Sequence, residues 1–235
     1  MRSYKYLKKR EAFTLIELVV VIVILGILAT YTTQMMSRDS RSEAINHILS
    51  MMRYTQNLAL HDKKHDRDSA YWQRSFWRFE IYNCKGGSGI FYKIGTDKDY
   101  NSGINRSETA IDPSNGKFTF WDTRKSCPKN STDALNAQVS PNIFLTQRYG
   151  IASVNFSACK LWKSAQSSSS AKHIGFDNYG RPIKSFTRSK TPNYSGHVIK
   201  DCKITFNFKD NNIKPFTIIV TAESGYIYLQ ENPEL

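Results

Sequence analysis

Between Asp97 and Glu108, oxygen-bearing groups recur at a spacing that can wrap a hard cation. Asp97, Asp99, Asn101 and Asn105 take positions one, three, five and nine of a twelve-residue loop, Gly103 offers its backbone at seven, and Glu108 closes it at twelve. Ca2+ takes about six to eight oxygens, and calcium loops supply them in this order. Two features depart from the pattern: Ser102 stands at position six, where a calcium loop has glycine, and no helices flank the segment. Without an ion the segment is a polar surface turn, the plainer reading. No other motif calls for a cofactor. His61 and His65 lie four apart, but beside Asp62 and Asp66 at a charged helix end they read as solvated residues, not as metal ligands. The chain has no nucleophile–base constellation, Gly-rich phosphate loop or H-E-x-x-H helix, so an enzyme is not expected.

Two further residue sets carry chemistry. Glu17 is the only side chain charged at neutral pH in the 24 residues from Phe13 to Met36. An unpaired carboxylate in hydrocarbon costs several kcal/mol, so one that stays there is expected to have a partner and a role. Cys84, Cys127, Cys159 and Cys202 form no C-x-x-C pair, which argues against zinc. An even count in an exported domain fits disulfides. Of the three pairings, Cys84–Cys127 with Cys159–Cys202 is favoured, because each bridge closes a loop between neighbouring β segments; free buried thiols are the alternative.

The elements that must hold these groups follow from periodicity. The run 13–36 is roughly 36 Å of helix at about 1.5 Å per residue, enough for a hydrocarbon core of about 30 Å. Arg2, Lys5, Lys8, Lys9 and Arg10 precede it, which places the N-terminus in the cytoplasm and the rest across the membrane. Ile45, Ile48, Met52, Thr55 and Ala59 then recur at three- and four-residue spacing, and neither Pro nor Gly interrupts residues 27–85. The pattern predicts one helix over about 13–63, its second half amphipathic and lying on a sheet. Alternation predicts strands over 76–82, 89–94, 117–121, 152–156, 173–176, 183–186, 203–208, 216–221 and 226–229, with turns at Gly86-Gly87, Asp210–Asn212 and Ser224-Gly225. Residues 126–142 and the Ser-rich 164–170 read as loops. The fold class is α+β. The expected organisation is a leader over 1–12, a membrane-spanning helix over 13–36, its amphipathic continuation over 37–64 and a β-rich domain over 65–235.

The formal charge is +13 over 235 residues, with 13 Tyr and 13 Phe, as suits a β-rich domain with a solvated basic surface. No tight basic–aromatic motif points to nucleic acid.

Ala12-Phe13-Thr14-Leu15-Ile16-Glu17-Leu18, behind its basic leader, resembles the class III signal of the type IV prepilin family. The resemblance implies cleavage between Ala12 and Phe13 by prepilin peptidase and N-methylation of Phe13. The family usually has Gly before the cut, where this chain has Ala12, and many members carry a Pro in the membrane half, where this chain has none before Pro113. It also implies a partner for Glu17. The new α-amino group lies four residues away, and two opposite charges in low dielectric attract strongly where either alone is costly. Ser50 to Lys64, Gly175-Phe176-Asp177-Asn178-Tyr179-Gly180-Arg181-Pro182 and Thr221-Ala222-Glu223-Ser224-Gly225-Tyr226-Ile227 resemble the H-type minor pseudopilins of type II secretion and their minor type IV pilin relatives. That resemblance implies a pilin-like fold and a structural subunit of a periplasmic filament, anchored first in the inner membrane and its lipid. Its implied partners are other pseudopilins or pilins, the peptidase and N-methyltransferase, the inner-membrane assembly platform, and secreted cargo. A minor pilin for adhesion or DNA uptake, whose domain would bind nucleic acid, and a plain single-pass periplasmic protein are the rival expectations.

Overall fold

The computed structural model describes residues 14–101, 103–129, 138–157, 159, 172–186 and 188–230, with 28–39 described as helical backbone only. It divides into two compact units, 1–39 and 40–235. Helix α1 runs Leu15–Leu60, against the predicted 13–63. Its described first part carries Glu17 amid apolar residues. Among the described residues no helix is long and apolar enough to cross a membrane. Within the predicted 13–36 span, described side chains run only from 14 to 27, and the leader and both residues of the cleavage site lie outside the described residues.

In the second unit the helix stripe is buried as its periodicity predicts: Ile45, Ile48, Met52, Thr55 and Ala59 are 7 % exposed or less. Thr55 can sit in this apolar face because its hydroxyl donates to the Met51 carbonyl, 2.8 Å away, one helical turn back. The helix meets two sheets where one was expected. The first has the order β2-β1-β4-β5, from β1 (Trp77–Asn83), β2 (Ile90–Gly95), β4 (Lys172–Phe176) and β5 (Pro182–Ile183). The second has the order β3-β6-β7-β8, from β3 (Ile151–Ser157), β6 (Cys202–Phe208), β7 (Phe216–Val220) and β8 (Ile227–Leu229). Every pairing is antiparallel, giving an α+β architecture consistent with a pilin-like fold. Phe79, Tyr92, Ile174 and Phe176 of the first sheet, Ile204, Phe206, Phe216 and Ile218 of the second, and the helix stripe form one contiguous buried cluster.

Two predicted strands are corrected. Residues 117–121 make only single-residue bridges, Phe118 to Ile111 and to Val139. The fully buried Asp112 organises this region instead, accepting from Ser114, Asn115, Ser140 and Asn142 and drawing the backbone into turns. The strand predicted over 183–186 stops at Ile183, and Phe186 turns back over the first sheet, stacking on His173 with ring centres 5.1 Å apart. Gly175 makes room for that ring, since a Cβ there would lie 2.7 Å from it. A short helix α2, Leu145–Tyr149, was not anticipated. The Ser-rich 164–170 segment lies outside the described residues.

The cysteines pair as favoured, Cys84 with Cys127 and Cys159 with Cys202, with Cα atoms 5.4 and 5.1 Å apart. Each bridge spans 43 residues and is buried.

Candidate functional site

Glu17 sits in the first turn of α1. The Leu18 N–H donates to the Thr14 carbonyl at 3.2 Å, which makes Thr14 the residue that opens the helix. Thr14 and Glu17 satisfy each other. The Glu17 carboxylate accepts from the Thr14 backbone N–H and hydroxyl, both at 2.9 Å, and the Thr14 hydroxyl accepts from the Glu17 N–H at 3.3 Å. This is a capping box, in which two backbone donors at a helix start are reciprocally paired. Thr14-Leu15-Ile16-Glu17 carries the T-x-x-E spacing of such a box in the sequence itself, a signal the sequence analysis did not use.

Around this carboxylate the helix is apolar on every side. Eleven large aliphatic side chains from Leu15 to Ile27 are each 44–81 % exposed. A helix of that kind needs an apolar surround, either lipid or other helices, because the area left in water is far larger than a monomer ordinarily tolerates. Among its described residues the first part of the helix is thus an apolar rod with one acidic group, Glu17, in its first turn.

The loop between β2 and Thr109 is the second candidate. It starts and ends on the same edge, with the Thr96 N–H donating to the Glu108 carbonyl and the Ala110 N–H to the Ile94 carbonyl. The three acids at positions one, three and twelve come together: Asp97, Asp99 and Glu108 each place an oxygen within 4.8 Å of the others. Asp97 and Glu108 are buried. The other predicted positions serve the loop itself. Glu108 accepts from the backbone N–H groups of Lys98, Asp99 and Asn105 at 2.6, 3.1 and 2.8 Å. Asn101 and Asn105 donate to the Asp99 carboxylate at 2.8 and 3.2 Å, and Gly103 donates its N–H to Asn101. Arg74 pairs with Asp97 at 3.3 Å. Three carboxylates this close favour a cation, but an ion would replace hydrogen bonds the loop already makes.

His61 and His65 do not form a pair on a helix, because α1 ends at Leu60 and the His65 ring packs edge-on against Trp72 with centres 4.8 Å apart.

At the far end of the helix, three segments meet around one side chain. The Gln56 amide donates to the Gly180 carbonyl at 2.8 Å and to the Gly225 carbonyl at 2.9 Å, joining the β4–β5 turn to the β7–β8 turn. A Cβ on Gly225, whose φ is +68°, would strike the Gly180 carbonyl. Arg53 donates to the Ile227 carbonyl at 2.8 Å from one turn earlier on the helix. In the β4–β5 turn the buried Asp177 carboxylate accepts from the backbone of Tyr179 and Arg181, from the Arg181 guanidinium at 2.7 Å and from His197. These bonds hold it below the usual carboxylate range against the opposing effect of burial.

Residues 7–32 match the family described as the prokaryotic N-terminal methylation motif. Comparison with curated proteins and with solved structures gives no match. The motif supports a type IV pilin-like chain whose N-terminus is processed by prepilin peptidase, anchored in a membrane and assembled with other pilins. Proteins that carry it are structural subunits rather than enzymes.

Proposed function

We propose that, on its methylation motif, this chain serves as a minor pseudopilin of the H type, a structural subunit of the periplasmic filament of a type II secretion system. The observation that carries the reading is the exposed aliphatic rod Leu15–Ile27 with Glu17 set in its first turn, all of it within the matched motif. The H-type assignment is supported by the way the segments that carry the resemblance converge: the helix around Gln56, the turn at Gly180 and the turn at Gly225 are bonded to one another.

In this reading the work is mechanical. Cleavage before Phe13 leaves an ammonium four residues ahead of Glu17. Among packed helices that ammonium and a Glu17 carboxylate, of the same subunit or a neighbour, are each costly alone and strongly attractive together, which fixes axial register. Glu17→Ala is therefore expected to leave insertion and processing intact while lowering filament incorporation at least tenfold, read by comparing processed membrane protein with protein in sheared filaments. Normal incorporation of the variant would remove the register role.

Asp97, Asp99 and Glu108 are proposed to hold Ca2+, weakly, with an affinity of about 10⁻⁴–10⁻³ M, because the ion must displace bonds from Glu108 and Asp99. At ten times the dissociation constant the ion stabilises by about 1.4 kcal/mol. The expected result is a melting midpoint about 3–5 °C higher with calcium than with chelator. Equal midpoints would count against the site.

A minor pilin of adhesion or DNA uptake is the second reading, favoured by the 27 Lys and Arg against 17 Asp and Glu in residues 40–235. Mobility-shift binding at two salt concentrations separates the two, since phosphate contacts weaken steeply with salt.

A further inference from the structure

Among the described residues of the second unit six large apolar side chains are exposed, and five of them belong to one end of the domain: Leu60, Tyr179, Tyr194, Ile199 and Tyr226 are 48–79 % exposed. The bonds already described bring their segments together. Tyr179 and Tyr226 flank Gly180 and Gly225, which share the Gln56 amide. A Leu60 methyl lies 3.2 Å from where a Cβ on Gly180 would stand. The Arg181 guanidinium lies over both the Tyr179 and the Tyr194 ring, 5.2 and 5.3 Å from their centres. Ile199 is two residues from Asp201, whose carboxylate accepts from the Ala222 N–H in the β7–β8 turn. The sixth residue, Ile111, lies elsewhere, near Phe118.

Tyrosine and arginine are the residue types that dominate binding at protein interfaces, where a rigid ring covers much area and gives up little freedom. The rings here are fixed before any partner arrives. Arg181 is held by Asp177, and Tyr226 stacks on Tyr228 with centres 5.6 Å apart. Such a surface is prepared for docking rather than left over from folding. Charge decides what docks. Residues 40–235 carry a formal +10, so a second copy would meet like charge, whereas an acidic partner would be steered in.

We infer that the face formed by Leu60, Tyr179, Arg181, Tyr194, Ile199 and Tyr226 is a docking surface for a different protein whose contact face is acidic and apolar. The inference does not depend on which filament machine the chain serves. The test places a photo-crosslinking amino acid at position 179, 226 or, as control, 111 of the full chain in the cells that make it. The expected result is one acidic protein joined from 179 and 226 and not from 111. Once purified, that protein should bind the detergent-solubilised full chain, with affinity at least tenfold weaker for Tyr179→Ala and Tyr226→Ala, unchanged for Ile111→Ala, and falling with salt. Both tyrosines are more than half exposed, so these variants should keep their fold. Crosslinks that are absent, that join only copies of this chain, or that give a partner whose affinity the tyrosine variants do not change would each overturn the inference.

Discussion

Replacing Cys159 and Cys202 together by alanine is expected to lower the unfolding free energy of the domain by about 4 kcal/mol, and the same holds for Cys84 with Cys127. The figure follows from loop length. Each bridge spans 43 residues, and closing a loop of that size removes about 4 kcal/mol of chain entropy from the unfolded state. Total stability for such a domain is about 5–15 kcal/mol, so losing both bridges, about 8 kcal/mol, brings it to the edge of unfolding. Urea titration of the solubilised full chain reads the effect as a shift in midpoint. Wild-type protein in excess reductant should reproduce the doubly deleted variant. A midpoint unmoved by either deletion would mean that the bridges constrain nothing the packing does not already constrain.

The second large effect is one of pH, and it centres on the face of the first sheet turned away from the helix. Cross-strand pairing puts Glu80 between Lys93 and His173. Arg78 lies 3.1 Å from Glu80, the Tyr82 hydroxyl donates to Glu80 at 2.8 Å, and Lys93 lies over the Tyr82 and Phe120 rings. His173 is covered by Phe186. Although an edge of the residue meets solvent, its Nε2 is buried with no hydrogen-bond partner among the described residues. Burial pushes the imidazole down to about 4, opposed by the Glu80 charge and a hydrogen bond to the Lys184 backbone, with Arg78 acting in the same direction as burial. A folded value below the ordinary 6.5 means that between those two values the unfolded chain binds a proton that the folded chain refuses. Stability is therefore complete above pH 6.5 and falls as pH drops toward 4, by about 3 kcal/mol. His47 is shifted in the same direction, again by burial, and adds to the slope. His173→Phe should flatten most of this dependence in denaturation curves taken at pH 7, 5.5 and 4.5. An unchanged slope would show that the ring takes up its proton over the same pH range folded and unfolded.

The buried stripe from Ile45 to Ala59 was readable because a helix repeats its inward face every three to four residues. The strands around Phe79 and Phe206 were readable because alternation marks one inward face, and the cysteine pairing followed from their placement. What stayed hidden came from segments folding over other segments. Lys117 to Trp121 alternates like a strand, but Asp112 claims its surroundings with side-chain bonds that have no sequence period. Arg78, Glu80, Lys93 and His173 alternate with the inward-facing apolar residues of their strands. They are covered because the chain at Phe120 and at Phe186 comes back across them, which no local pattern announces. In the 97–108 loop the spacing named the three acids that meet, but not that Glu108 would face the backbone. The Gln56 junction could not be seen at all, since its partners are carbonyl groups and every residue has one.

The two bridges follow one another along the chain without interlocking: the first ring closes at Cys127 before the second opens at Cys159. A domain that enters an oxidising compartment in chain order, Cys84 first, thus meets its correct partner at each step. Cys84 sees Cys127 before Cys159 has arrived, and by the time Cys202 emerges one free thiol remains. Where the first bond closes before Cys159 emerges, order of arrival alone excludes mispairing, and such a chain should oxidise correctly with an oxidase and no enzyme that reshuffles bonds.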